Sequence, residues 1–187
     1  IILSVIVDIS TVHLQNQFSL VAMTSLACFD VFKKYAGNAT AIKWTNDIYF
    51  NDNKAGGILI ETLNSNDKRY AILGIGININ QTIFSEDLPN ATSLKLITGK
   101  TYNTLNLAQE ICNNLGIYYN HLRNNEFRVL CNSYNAALYK KGMEVTLKKE
   151  NIKFNCVIDC VNEFGELLVK NAVYDKFSFG TIQWVVK

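Results

Sequence analysis

No apolar stretch in the 187 residues approaches the roughly 20 needed to cross a bilayer, so no membrane-spanning helix is expected. The apolar opening Ile1 to Val7 has neither a basic flank nor a small-residue cleavage site, which argues against a signal peptide and for a buried strand. Initiator methionine is also missing, and a chain that opens inside a strand is expected to be part of something longer. Charge of one sign is nowhere concentrated. The longest like-charge runs are pairs such as Lys148-Lys149, and a net charge of +2 is too near neutral to carry a nucleic-acid argument. Histidine is scarce, with only His13 and His121, both read as structural. Cys156 and Cys160 therefore have no histidine nearby to complete a zinc pattern, and no metal site is expected. The five cysteines form an odd set without framework spacing, which reads as thiols in a reducing compartment and places the protein in the cytoplasm. Proline occurs once, at Pro89, and no repeat or low-complexity segment is visible.

What is present can fill a core: 49% of residues are hydrophobic and 18% charged, which argues against disorder. The length allows one domain with a small appendage. Apolar residues at helical spacing predict a helix from Gln17 to Tyr35, stopped by Gly37. Strand-like runs follow at Ala41 to Trp44, Asp47 to Phe50 and Gly57 to Glu61, the last two joined through Asn51-Asp52-Asn53 as a hairpin. A polar loop from Asn64 to Lys68 leads to a fourth run, Tyr70 to Ile79, and residues 81–100 read as loop. Leu107, Ile111, Leu115, Tyr118 and Leu122 predict a second helix, with Asn106 as its cap, and a third runs from Glu126 to about Leu138. After Gly142 the pattern becomes short alternating strands: Glu144 to Leu147, Lys153 to Val161, Glu166 to Val169 and Thr181 to Val185. Strands so short and so close can close a small barrel. The expected fold is α+β, a mixed sheet backed by helices over residues 1–141, then a small β-barrel over 142–187.

Three segments stand out for chemistry: Lys43-Trp44-Thr45-Asn46-Asp47-Ile48-Tyr49, Lys54-Ala55-Gly56-Gly57-Ile58-Leu59-Ile60-Glu61 and Gly74-Ile75-Gly76-Ile77-Asn78-Ile79-Asn80. Two glycines at alternate positions of a strand leave one face bare, where a flat ring could lie while Ile75 and Ile77 face the core. A bulge or a close strand crossing would explain the same glycines. A phosphate-cradling loop would not, because such loops open a helix. Lys54 at the mouth of a strand is by itself a solvated edge charge. Asn46 and Asp47 could simply be turn residues bonding their own backbone, and Trp44 is a core residue.

The order and spacing of these segments, with Ala91-Thr92-Ser93-Leu94 downstream and Phe179-Gly180-Thr181-Ile182 near the end, resemble the biotin protein ligase family. The resemblance implies an enzyme that forms biotinyl-5′-AMP from biotin and ATP, with Mg2+ accompanying the ATP. The biotin then passes to a lysine of a carboxylase carrier domain. It makes Lys54, Asp47 and Asn46 catalytic, with Lys54 between biotin carboxylate and phosphate. It places Gly57, Leu59, Gly74, Gly76 and Ile77 at the biotin pocket, Asn78 with Lys54 at the nucleotide, and Lys43 in support behind them. Two departures accompany it. Thr45 stands where the family usually has proline, restoring a backbone donor. The family's Ser-Thr-Asn segment and its glycine- and arginine-rich loop are absent ahead of Ile1, so adenylation by this chain is not expected. An unpaired sheet edge is expected as well. The resemblance leaves two other readings open: a degenerate module that holds biotin or its adenylate, and a lipoate-type transferase, which the final barrel disfavours. No helix-turn-helix is present, and neither nucleic acid nor membrane is an expected partner.

Overall fold

The computed structural model describes residues 1–12 and 17–185; His13 lies outside them. Its first sheet has the order β1 (Ile2–Asp8), β5 (Lys68–Ile77), β4 (Asn53–Ser65), β3 (Asp47–Phe50) and β2 (Thr40–Lys43), and every one of these pairs is antiparallel. Parallel pairing in this sheet is limited, among the described residues, to isolated bridges, Ile42 with Leu138 beside β2 and Lys54 with Ala91 beside β4, so the expected mixed sheet is antiparallel in all its strand pairs. The chain is α+β, as its pattern predicts.

Helix α1 (Phe18–Ala36) is apolar nearly all round because it is central: it packs on the sheet on one side and on α3 (Thr104–Arg123) and α4 (Phe127–Ala136) on the other. Ile42, Ile48, Ile58, Leu73, Ile75 and Ile77 point into this layer, where they meet Leu20, Met23 and Leu26 of α1 within one core. Each such buried aliphatic side chain contributes roughly 1.5–3 kcal/mol of transfer free energy. On α3 the buried Leu107, Ile111, Leu115 and Leu122 keep helical spacing, and the opposite face is solvated. Its cap is Asn103 rather than Asn106: the Asn103 side chain accepts from the backbone N–H of Leu105 and Asn106, satisfying donors the first turn leaves free.

The predicted polar loop at 64–68 is instead a tight hairpin. Asn66 and Asp67 both take positive φ, which matches the twist of the long β4–β5 pair and which these residue types tolerate. Within the predicted loop 81–100 lies the short helix α2 (Leu94–Thr98), whose N-cap Ser93 accepts from Leu96 N–H.

The second sheet is antiparallel, ordered β10 (Gln183–Trp184), β6 (Glu144–Lys149), β7 (Ile152–Val161), β8 (Leu167–Lys170) and β9 (Lys176–Phe177). The small β unit is thus present, but among the described residues its pairings stop short of a closed barrel. The stretch between β9 and β10 spends hydrogen bonds on its own turn, Thr181 to the Ser178 carbonyl through both backbone N–H and hydroxyl. The connection between the sheets is tight. Ile42 N–H donates to Ala137 and Tyr139 N–H to Ile42, while Gly142 N–H donates to Ile158. A short segment therefore borders both sheets.

Gly165, in the β7–β8 turn, closes the contact between the two layers. Its carbonyl accepts from Trp44 Nε1 at 3.0 Å, its φ is +83°, and a Cβ there would lie 2.7 Å from the Phe18 Cβ. Gly165→Ala is therefore expected to destabilise the fold by about 1–3 kcal/mol, the usual cost of forcing a side chain into the left-handed region. Urea unfolding measures this, and an unchanged midpoint would show that the contact gives way freely.

Candidate active site

The face of the first sheet opposite the helices carries the site. Cross-strand register sets one row of residues side by side: Lys43 opposite Asp47, Asp47 opposite Gly57, Gly57 opposite Gly76, and Gly76 opposite Ile2. The next row is Leu59, Gly74 and Ser4. Directly opposed residues share a face, so Gly57, Gly74 and Gly76 form a bare floor with Asp47 at one side and β1 at the other. Together with Lys54 and Leu59 they line a cavity of about 350 Å³.

Strict alternation would put Lys54 and Gly57, three apart, on opposite faces. A bulge between Ile48 and Tyr49 of β3 and the facing β4 residues corrects this: Tyr49 pairs with Lys54 and Ile48 with Gly56, leaving Ala55 as the extra residue. Lys54 is thereby turned onto the floor, and its Nζ lies 2.7 Å from Asp47 Oδ1. A Cβ on Gly57 would sit 3.1 Å from that same carboxylate oxygen, so glycine leaves the room the pair occupies. Both side chains keep solvent contact, 47% for Lys54 and 25% for Asp47. Ion pairs this open contribute at most about 1 kcal/mol to stability, so the fold gains little from holding them here.

Lys54, Gly57 and Gly76 also border a second cavity of about 440 Å³, with Tyr49, Asn78 and the loop residues Phe84, Leu88 and Pro89. Lys54 thus stands at the junction of two adjoining spaces. Asn78 donates an amide N–H to the Thr92 carbonyl at 3.1 Å, which ties the Ala91-Thr92-Ser93 segment to the sheet. Asn46 lies at the corner between β2 and β3, where its side-chain amide donates to the Ile58 carbonyl and its own carbonyl accepts from Ile58 N–H at 3.0 Å. Tyr134 of α4, fully buried, donates to the Thr45 carbonyl at 2.7 Å and fixes the same corner, in which the Trp44–Thr45 peptide is cis. Burial pushes the Tyr134 phenol far above its ordinary range, so it remains a donor.

One expectation needs correction. Ile77 does not line the pocket: alternation along β5 sends it with Ile75 into the core, at 3% exposure. Lys43 stands beside Asp47 in the register and lines neither cavity. His121 pairs with Glu126 at 2.6 Å and lines neither cavity. Residues that pattern reading passed over include Tyr49, Phe84 and Leu88, and a third space of about 300 Å³ beside Asn46 and Leu59. Phe164 and Phe179 of the second sheet's loops border it. Exposed Phe164 and Phe179 in turn-rich sequence were the only hint.

The biotin/lipoate A/B protein ligase profile matches residues 1–78, the stretch that builds this floor. Over these residues the chain is similar to that family. Among its relatives is the bifunctional ligase/repressor BirA of Bacillus spizizenii, 37% identical over 106 residues, which cover 54% of this chain and 32% of that protein. The chain thus spans about a third of the length of that relative. Biotin protein ligase from Aquifex aeolicus has the same fold: it superposes with a TM-score of 0.80 at 24% identity, covering 98% of this chain and 81% of the other. The same ligase in complex with biotin and ATP gives 0.75 at 24% identity, covering 98% and 74%. The profile match and the shared α+β fold thus agree with the order of the three motifs.

Proposed function

We propose that the chain carries most of a biotin protein ligase catalytic domain in residues 1–141 and its C-terminal domain in residues 142–187. The observation that carries this reading is Lys54, held by Asp47 where a glycine-floored cavity meets a second one. The reaction joins a carboxylate to the α-phosphate of ATP, releasing pyrophosphate, and then passes the acyl group to an amine. Two anions must approach each other, which requires a fixed positive charge between them. Lysine meets this as a compact point charge.

In this reading the biotin ring lies over Gly74 and Gly76, flanked by Gly57 and Leu59, with its carboxylate toward Lys54. The nucleotide occupies the second cavity, with Asn78 and Tyr49 at its wall. In the transfer step an acceptor amine attacks the biotinyl carbonyl carbon, and the bond to the phosphate oxygen breaks. AMP leaves with that electron pair, and the ammonium proton is lost toward Asp47. Asn46 holds the corner that sets Asp47. The groove between Leu59, Phe164 and Phe179 opens beside Asn46, which suits it to a carboxylase carrier domain presenting its lysine. Mg2+ enters this reading as the companion of ATP. Five free thiols fit a cytoplasmic setting, and no helix among the described residues is long and apolar enough to cross a membrane.

The direct test supplies biotinyl-5′-AMP and a biotin carboxyl carrier domain. The chain is expected to biotinylate the carrier above the uncatalysed background, and Asp47→Asn is expected to cut that excess. Tight adenylate binding with transfer at background would reduce the chain to a binding module.

A further inference from the structure

Lys43 is the most buried lysine on the site face, at 8% exposure, yet among the described residues no carboxylate lies within ion-pair distance of it. Its Nζ donates to the Tyr49 hydroxyl at 3.1 Å and otherwise faces rings: 4.4 Å to the centre of Tyr49, 5.3 Å to Trp184 and 5.8 Å to Tyr139. Tyr139 and Trp184 are themselves in contact, with centroids 5.6 Å apart. The three rings come from three parts of the molecule: β3 beside the site, the segment joining the sheets, and β10 of the C-terminal sheet. An ammonium among aromatic faces is held by their negative quadrupoles, and the attraction is strongest where water is excluded. Asp52, at the tip of the hairpin that carries Asp47 and Lys54, accepts from the Tyr139 hydroxyl and pairs with Lys140 at 2.9 Å. The hairpin is thus gripped at its root through Lys43 and Tyr49 and at its tip through Asp52.

We infer that Lys43 is a positioning residue: its caged ammonium pins the C-terminal sheet to the β3–β4 hairpin and so sets the Asp47–Lys54 pair for an acyl-adenylate. This rests on the ligase reading for the identity of the ligand.

The charge on the pin is sensitive to pH. Burial lowers the Lys43 pKa from 10.5 to about 8. The charged groups acting on it are Asp47, Lys54, Lys140 and Asp52, with the Tyr49 and Tyr139 phenols in contact and Glu144 across a cavity of about 330 Å³. Those that shift move away from neutrality: burial pushes Tyr49 to about 12 and raises Tyr139, while the bond from Tyr139 lowers Asp52 and the bond to Asp52 raises Lys140. Above pH 8 the ammonium, and with it the grip, is lost. Global stability runs the other way. A lysine whose folded pKa lies below its unfolded value relieves the folded chain of a buried charge as pH climbs from about 8 toward 10.5. Loss of ligand affinity without loss of stability above pH 8 therefore separates a local pin from unfolding.

The experiment titrates biotinyl-5′-AMP by calorimetry into the unaltered chain, Lys43→Met, Lys43→Arg and Trp184→Leu, between pH 6.5 and 9.5, with thermal unfolding alongside. Lys43→Met and Trp184→Leu are expected to bind about tenfold more weakly, the scale of a desolvated cation–π contact, and Lys43→Arg to recover most of the affinity. The unaltered chain should lose affinity through pH 8, and Lys43→Met should not. A folded Lys43→Met chain with unchanged affinity and pH profile overturns the inference. If the unaltered chain binds no adenylate, the ligase reading fails instead. Trp184 fluorescence then decides the pin alone: an emission shift between the unaltered chain and Lys43→Met at pH 6.5 supports it, and identical spectra overturn it.

Discussion

The Gly76→Val chain will stay folded and lose biotin. A Cβ at Gly76 meets only the Gly57 carbonyl oxygen, at an ordinary 3.8 Å, so the backbone can accept a side chain. The two methyl groups then stand on the floor of the 350 Å³ cavity, in the space a flat ring would need. Glycine within a strand is itself destabilising, by roughly 0.5–1 kcal/mol relative to alanine, and valine is a strand former. The unfolding midpoint should therefore hold or rise while calorimetry finds no biotin binding. Gly74→Val is a poorer probe, because its Cβ would press on the Leu59 carbonyl at 3.3 Å, and Gly56 tolerates nothing, with the Gly76 carbonyl 2.6 Å away. Unchanged biotin affinity in a folded Gly76→Val chain would show that the ring lies elsewhere.

Lys54→Met should slow biotin transfer from biotinyl-5′-AMP by roughly a hundredfold or more, the scale expected for one charge or donor aimed at a developing anion. The effect on stability should be small, about 1 kcal/mol or less, because the Asp47 pair is open to solvent. Biotin affinity should fall far less than the rate, since the charge acts hardest as the carbonyl and phosphate oxygens gain charge in the transition state. Carrier biotinylation and AMP release measure the rate. A rate within about a factor of two of the unaltered chain would make Lys54 the solvated edge charge that its position alone resembles.

How much of this could be read without coordinates depends on what kind of geometry each residue needed. The bare face at Gly74 and Gly76 follows from alternation, and so does the core orientation of Ile75. The same rule excludes Ile77 from the pocket, yet the family resemblance had included it. Lys54 is the opposite case: alternation separates it from Gly57, and only the extra residue Ala55 brings it round. A bulge leaves no mark in a two-residue period, so the motif carried the placement and the pattern could not. The cap shift from Asn106 to Asn103 and the hidden α2 are local, decided by side chain–backbone hydrogen bonds that compete closely in Asn- and Ser-rich sequence. The cage around Lys43 was not legible, because Tyr139 and Trp184 approach it from residues 96 and 141 positions later, through a connection whose direction no local signal sets.

That connection has a further consequence. With Ile42 bonded to Ala137 and Tyr139 on one side, and Gly142 bonded to Ile158 on the other, a handful of residues ties the two sheets together. The gap beneath Phe164 and Phe179 therefore lies between sheets held by a short tether. The less the sheets must rearrange to admit a guest, the smaller the share of binding free energy spent on ordering them.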